Sequence, residues 1–188
     1  MSQLILEPSA TAAWQRLITD AAETAGHELD EQRESYLVFL LMRYLRRSEM
    51  VKAVLALQFL RMLNAPRRQR QQGLQQVGDQ CLILAGLFPE QADRRRVQLS
   101  YFVDLGQSAY DGVARDASTA TAQLFDALAE TFVGLMDVLQ AVRQSGGEPL
   151  MNAMEAAERS LSTGSSLARR TLRELTDATP IPPGSRAH

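Results

Sequence analysis

Few residues in this chain have the chemistry for a reaction, and those few sit at helical spacings. Asp79 stands inside a segment of helical periodicity, on the side of Ile83 and Gly86. A carboxylate there must be paired or neutral, because taking a lone charge out of water is costly. Asp79 is therefore either a ligand-binding acid or proton handler with a raised pKa, or half of an ion pair. Its partner in the second case is Arg43 or one of Arg94, Arg95 and Arg96. Tyr101 and Asp104 share a face of the next helical segment, Asp111 falls on that side one heptad later, and Tyr110 joins the apolar stripe. Asp79, Tyr101, Asp104 and Tyr110 are the candidate ligand-binding set of a polar pocket. The competing expectation is a solvated helix face beside a core tyrosine.

Other chemistries are excluded by the residues they need. His27 and His188 are the only histidines, and neither stands three or four residues from a carboxylate on one helix face. Paired Glu-x-x-His sites for a di-iron bundle cannot be built, and a lone cysteine with two remote histidines is no zinc site. No Ser–His–acid arrangement is indicated, and His27, beside Gly26, reads as a helix-end residue. Cys81 lies in an apolar stripe and reads as a small buried hydrophobe. Phosphate-binding G-x-x-x-x-G-K-[ST] and G-x-G-x-x-G loops are absent from the sequence. No catalytic residue, cofactor or metal is assigned.

Arg61, Arg67, Arg68 and Arg70 cluster with Gln69, Gln71, Gln72, Gln75 and Gln76, and no acid follows until Asp79. Arginine and amide side chains contact phosphates, which makes Arg67, Arg68 and Arg70 the candidate nucleic-acid contacts. With no interleaved aromatics and no helix-turn-helix pattern, a loop and a solvated helix start are the favoured reading. Further along, Asp104, Asp111, Asp116, Asp126, Glu130 and Asp137 outnumber Arg115. Such asymmetry steers one subunit or partner onto another.

The elements that must position these residues are all helical. Ser9 caps a first helix ending at Gly26, with Trp14, Leu17 and Ile18 inward. Asp30 caps a second whose Tyr36–Met42 run is apolar all round, a pattern that belongs at the centre of a fold. Ser48 opens a third, through Val51, Val54, Leu55 and Phe59, stopped by Asn64 and Pro66. A fourth spans roughly residues 69–87, a turn carries Arg94 to Arg96, and a fifth spans roughly 98–115. A long sixth is expected from Ser118 or Thr119 to about Gln144. Its seam is Leu124, Leu128, Phe132, Leu135, Leu139 and Val142, and Gly146-Gly147 ends it. A seventh follows Pro149, using Leu150, Met154, Ala157 and Leu161. Past Gly164, a last helix uses Leu167, Leu172 and Leu175.

The expectation is an all-α, single-domain bundle of seven or eight helices over residues 1–178, with an extended proline-rich tail at 179–188. A chain of 188 residues, 45% hydrophobic, can bury a core, and its net charge of −2 sets up no field to recruit nucleic acid or an anionic membrane. One cysteine, no basic leader and a longest uninterrupted apolar run of Tyr36 to Met42 point to a cytoplasmic protein without membrane partners. On the sixth helix Phe125, Val133, Met136 and Val138 lie off the seam and need a second cover. A homodimer through this helix, with Met151 and Met154 as adaptable contacts, would supply it. The alternative cover is the C-terminal helices and tail.

Val77-Gly78-Asp79-Gln80-Cys81-Leu82, Gly86-Leu87-Phe88-Pro89 and Tyr101 to Tyr110 together resemble a family of bacterial all-helical proteins without assigned activity. The Tyr36–Arg43 run belongs to the same pattern, which covers roughly residues 30–115. The resemblance implies a helical fold and a bacterial cytosolic origin, and no mechanism. The leading expectation is a non-enzymatic interaction protein that binds a protein partner and itself. A pocket around Asp79, Tyr101 and Asp104, or nucleic-acid binding through Arg61 to Arg70, are the alternatives.

Overall fold

The computed structural model describes residues 10–46, 54–94, 97–147 and 151–176. Among them the chain forms ten α-helices and no strand: α1 (Ala10–Ala25), α2 (Glu31–Arg46), α3 (Leu55–Leu63), α4 (Arg67–Leu87), α5 (Glu90–Arg94), α6 (Leu99–Asp116), α7 (Thr119–Glu130), α8 (Phe132–Ser145), α9 (Ala153–Thr163) and α10 (Ser166–Thr176). The all-α single-domain architecture is as expected, with more helices than the expected seven or eight. None of them is long and apolar enough to cross a membrane. Ser9, Ser48, Val51, Pro149, Leu150 and the tail lie outside the described residues.

The central helix is α4, which is buried continuously from Val77 to Gly86. Its neighbours approach closely because two faces present glycine. A methyl group at Gly78 would come within 2.4 Å of the Tyr110 ring on α6, and one at Gly86 within 2.5 Å of Leu139 on α8. Thus α6 and α8 flank α4, α7 folds back on α6, α1 covers α8, and α2 lies against α1. The main core draws on α1 to α8, α5 through Ala92 alone, with Cys81, Tyr110, Phe132 and Leu139 fully enclosed. A separate small cluster of Met151, Ala156, Leu167 and Ala168, with Leu172 against it, belongs to the α9–α10 hairpin.

Three expectations are corrected. The second helix is not enclosed all round: Leu37, Val38, Leu40 and Leu41 are buried and Tyr36 reaches α4, α6 and α7, but Phe39 is 57% exposed. The long sixth helix is two. Thr131 (φ −99°, ψ 14°) interrupts it, its hydroxyl donating back to the Ala127 carbonyl at 2.6 Å. A β-branched residue satisfied this way bends a helix. α7 leans on α6 while α8 turns onto α1 and α4, and Phe125, Met136 and Val138 are buried within the chain, with Val133 partly so. The residues that called for a second cover already have one. Finally, the register of α9 is rotated: Met154 and Leu161 face solvent and Ala156 faces inward, set by an Asn152–Glu155 capping box.

Candidate functional site

α4 turns Asp79 toward α2 and α6, and three donors converge on it. Its Oδ1 accepts from the hydroxyls of Tyr36 at 2.5 Å and Tyr110 at 2.9 Å, and its Oδ2 accepts from Arg43 Nη1 at 2.8 Å. The carboxylate is fully buried, while the Arg43 side chain reaches the surface. The rings close the cluster edge to face: Tyr36 meets Tyr110 and Phe125, and Tyr110 meets Phe125 and Phe132. Burial pushes the Asp79 carboxyl above the usual carboxylate range, against the opposing pull of the Tyr36 bond, the Arg43 charge and the Tyr110 bond. Burial, then the Asp79 charge, drives both phenols well above their ordinary value. With each oxygen already engaged, the group anchors three helices and offers no open position to a ligand.

Of the four candidate pocket residues the structure brings together only Asp79 and Tyr110. Tyr101 is 38% exposed, its ring against Phe102, and Asp104 faces solvent. At 100° per residue the face of Phe102, Gly106, Ala109, Tyr110 and Val113 turns to the core, which turns Tyr101, Asp104 and Asp111 away from it. The expected pocket of Asp79, Tyr101 and Asp104 is therefore not assembled. The missing member is Tyr36, hidden in a run that reads as uniformly apolar.

The basic stretch closes a helix end. Arg67 and Gln71 donate to the Asp116 carbonyl, at 2.8 Å from Arg67 Nε and 2.5 Å from Gln71 Nε2. Arg70 grips the Asp116 carboxylate through Nε and Nη2. Arg67 and Arg70 thereby neutralise the C-terminus of α6; Arg68 is exposed. The Arg70 bonds hold the Asp116 carboxyl below its ordinary range.

A second buried carboxylate lay outside every motif. Asp137 on α8 accepts from Ser165 Oγ at 2.5 Å, from the Ser166 and Leu167 amides at 3.1 Å, and from His27 Nε2 at 3.1 Å. It caps α10 from a different helix, with its charge at the positive end of the helix dipole. Ser166 Oγ also lies 3.0 Å from His27 Nε2. These three residue types are those of a nucleophilic triad, but the geometry is wrong. A relay needs acid and serine on opposite ring nitrogens, and here both address Nε2. Nε2 carries its proton toward the carboxylate and cannot accept one from Ser166. No sequence signal linked these residues, since they lie 110 and 29 positions apart.

Among the described residues, open clefts lie away from both carboxylates. One of about 590 Å³ runs between α1 and α8 over Leu17, Asp20, Ala21 and Ala141. A second, about 300 Å³, separates α9 from the α5–α6 turn and is lined by Pro89, Ala92, Leu99, Glu155 and Glu158. A third, about 80 Å³, lies between α1 and α2. No group of three or more His, Cys, Asp or Glu side chains among the described residues is placed to hold a metal ion. Compared with known protein families, with curated proteins and with solved structures, the chain has no match.

Proposed function

We propose that this chain is a non-enzymatic helical interaction protein whose binding face is the outer side of α3. The observation that carries the reading is a helix apolar nearly all the way round. Leu55 is buried, and Phe59 and Met62 pack inward, yet Leu57, Leu60 and Leu63 are 46%, 58% and 47% exposed, and the preceding Val54 is 69% exposed. Only Gln58 and Arg61 interrupt the apolar character of α3. A helix covered on one side and apolar on the other requires a second cover, and contiguous apolar surface of this kind marks an interaction site. The buried polar groups support the same reading, because Asp79 and Asp137 spend their hydrogen-bonding capacity on neighbouring helices. Self-association belongs to this proposal too, with α3 in place of the long helix expected from Thr119 to about Gln144 as the surface involved. The test is affinity capture with chemical cross-linking from the native cell, comparing wild type with Leu57→Glu/Leu60→Glu. Cross-links to partner proteins through residues near α3 should vanish in the variant. An unchanged set of cross-linked partners, in a variant that folds, refutes the assignment.

A further inference from the structure

A second exposed apolar row lies on α9. Met154 and Leu161 are 81% and 83% exposed, one heptad apart on one side of the helix, with the half-buried Ala157 between them. Glu158, exposed, stands beside this row, whereas Glu155 lies about 100° round the helix with its carboxylate held in the capping box, and the half-buried Arg159 is turned still further away. The row on α3 has the opposite charge. Residues 50–78 carry Lys52, Arg61, Arg67, Arg68 and Arg70 and no acid at all. Arg67 and Arg70 are held by Asp116, and Arg61 and Arg68 are exposed.

The two rows lie toward opposite ends of α4. Met62 of α3 packs at Gly73, whereas α9 borders the cleft of Pro89 and Ala92, just past the other end. That is about 20 Å along the helix at 1.5 Å per residue, so neither row covers the other within one chain. From this we infer that copies of the chain associate head to tail, the α3 row of one seated on the α9 row of the next.

The inference rests on α3 being a binding face and names a second copy as its occupant. Charge decides the pairing. Setting α3 against α3 would bring the Arg61 of both copies together, and setting α9 against α9 would confront Glu158 with itself. Only the heterologous contact places basic residues against acidic ones. Each face offers a few side chains, well below the ~800 Å² per partner of a stable interface. The association is therefore weak, dependent on concentration and sensitive to salt. Because a single such contact leaves one row open on each copy, it extends beyond two copies unless the rotation between them closes it.

The test is sedimentation velocity from about 10 µM to about 1 mM, using wild type, Leu60→Asp, Leu161→Asp and an equimolar mixture of the two variants. Wild type should start near its 20.8 kDa monomer mass and climb past the dimer, with added salt reversing the climb. Each variant alone should stay monomeric. Their mixture should form a complex that stops at two copies, because one intact α3 row then meets one intact α9 row. Self-association of Leu161→Asp alone would mean that α3 pairs with itself, and the inference is lost. It is equally lost if wild type stays monomeric throughout or the mixture does not associate. Should either aspartate lower helicity, Leu60→Ser and Leu161→Ser take its place. Loss of self-association leaves the cross-linking of α3 to other proteins intact, so the two proposals fail separately.

Discussion

At the scale of single residues, Asp79 concentrates more consequence than any other side chain. Removing it strands the buried phenol of Tyr110, the partly buried phenol of Tyr36 and Arg43, and breaking a buried pair in this way costs about 3–5 kcal/mol. Arg43 is 41% exposed on its side chain and can turn to water, which places Asp79→Ala toward the lower end. Thermal melting should fall by roughly 10 °C for a chain of this size. Tyr110→Phe, which removes one neutral donor, should cost about 1 kcal/mol. The two carboxyls with shifted pKa values give stability profiles of opposite slope. Asp116 is held low by Arg70, so its contribution is full above about pH 4 and disappears as pH falls through its folded value. Asp79 is raised by burial, so the folded chain keeps a proton that the unfolded chain has lost. Its contribution is greatest below about pH 4 and declines as pH rises through the raised value. Denaturant titrations between about pH 3 and 7 should show the wild-type advantage over Asp116→Asn growing with pH. The advantage over Asp79→Asn should shrink over the same range. A difference that shrinks with pH for Asp116→Asn, or grows with pH for Asp79→Asn, would refute that assignment.

At the scale of elements, the contacts of α4 with its neighbours depend on what is absent. Alanine in place of Gly78 gains helix propensity of about 1 kcal/mol, but its methyl meets the Tyr110 ring at 2.4 Å in a filled core. Overpacking of this kind costs about 1–3 kcal/mol and displaces the hydroxyl from Asp79. Gly78→Ala should therefore be destabilised despite its better propensity, and its tyrosine near-ultraviolet dichroism should change. A melting temperature above wild type would show that α6 can retreat. The α7–α8 break follows the same logic of local satisfaction, with Thr131 closing one helix and opening the next.

At the scale of the whole molecule, the bundle has two unequal parts. The α9–α10 hairpin has its own small cluster and is joined to the main core by the bonds that Asp137 receives from Ser165, Ser166 and Leu167, by the contact of Ser166 Oγ with His27 Nε2, and by Arg170 donating to the Thr24 carbonyl. Few buried apolar contacts across such a junction mean a low free energy of local opening. Asp137→Ala should raise amide hydrogen exchange in α9 and α10 while leaving α4 and α6 protected. Uniform acceleration across all helices would mean that the hairpin opens only with global unfolding.

The sequence by itself determined the helical class and the limits of α4 and α6 to within two residues. It also determined that Cys81 and Tyr110 face inward and that Asp79 is an inward-facing acid that must be paired or neutral. These are local properties, since the 3.6-residue period and the cost of burying charge act along a single helix. Tertiary structure alone decided that the arginine is Arg43 and that Tyr36 completes the cluster. It likewise decided that α2 leaves Phe39 uncovered, that α9 turns Met154 and Leu161 outward, and that Asp137 caps a helix 29 positions away. Apolar periodicity marks which side of a helix wants cover and says nothing of which neighbour provides it. A hydrogen bond between residues tens of positions apart leaves no mark in the spacing of either one, because it exists only once the helices have packed.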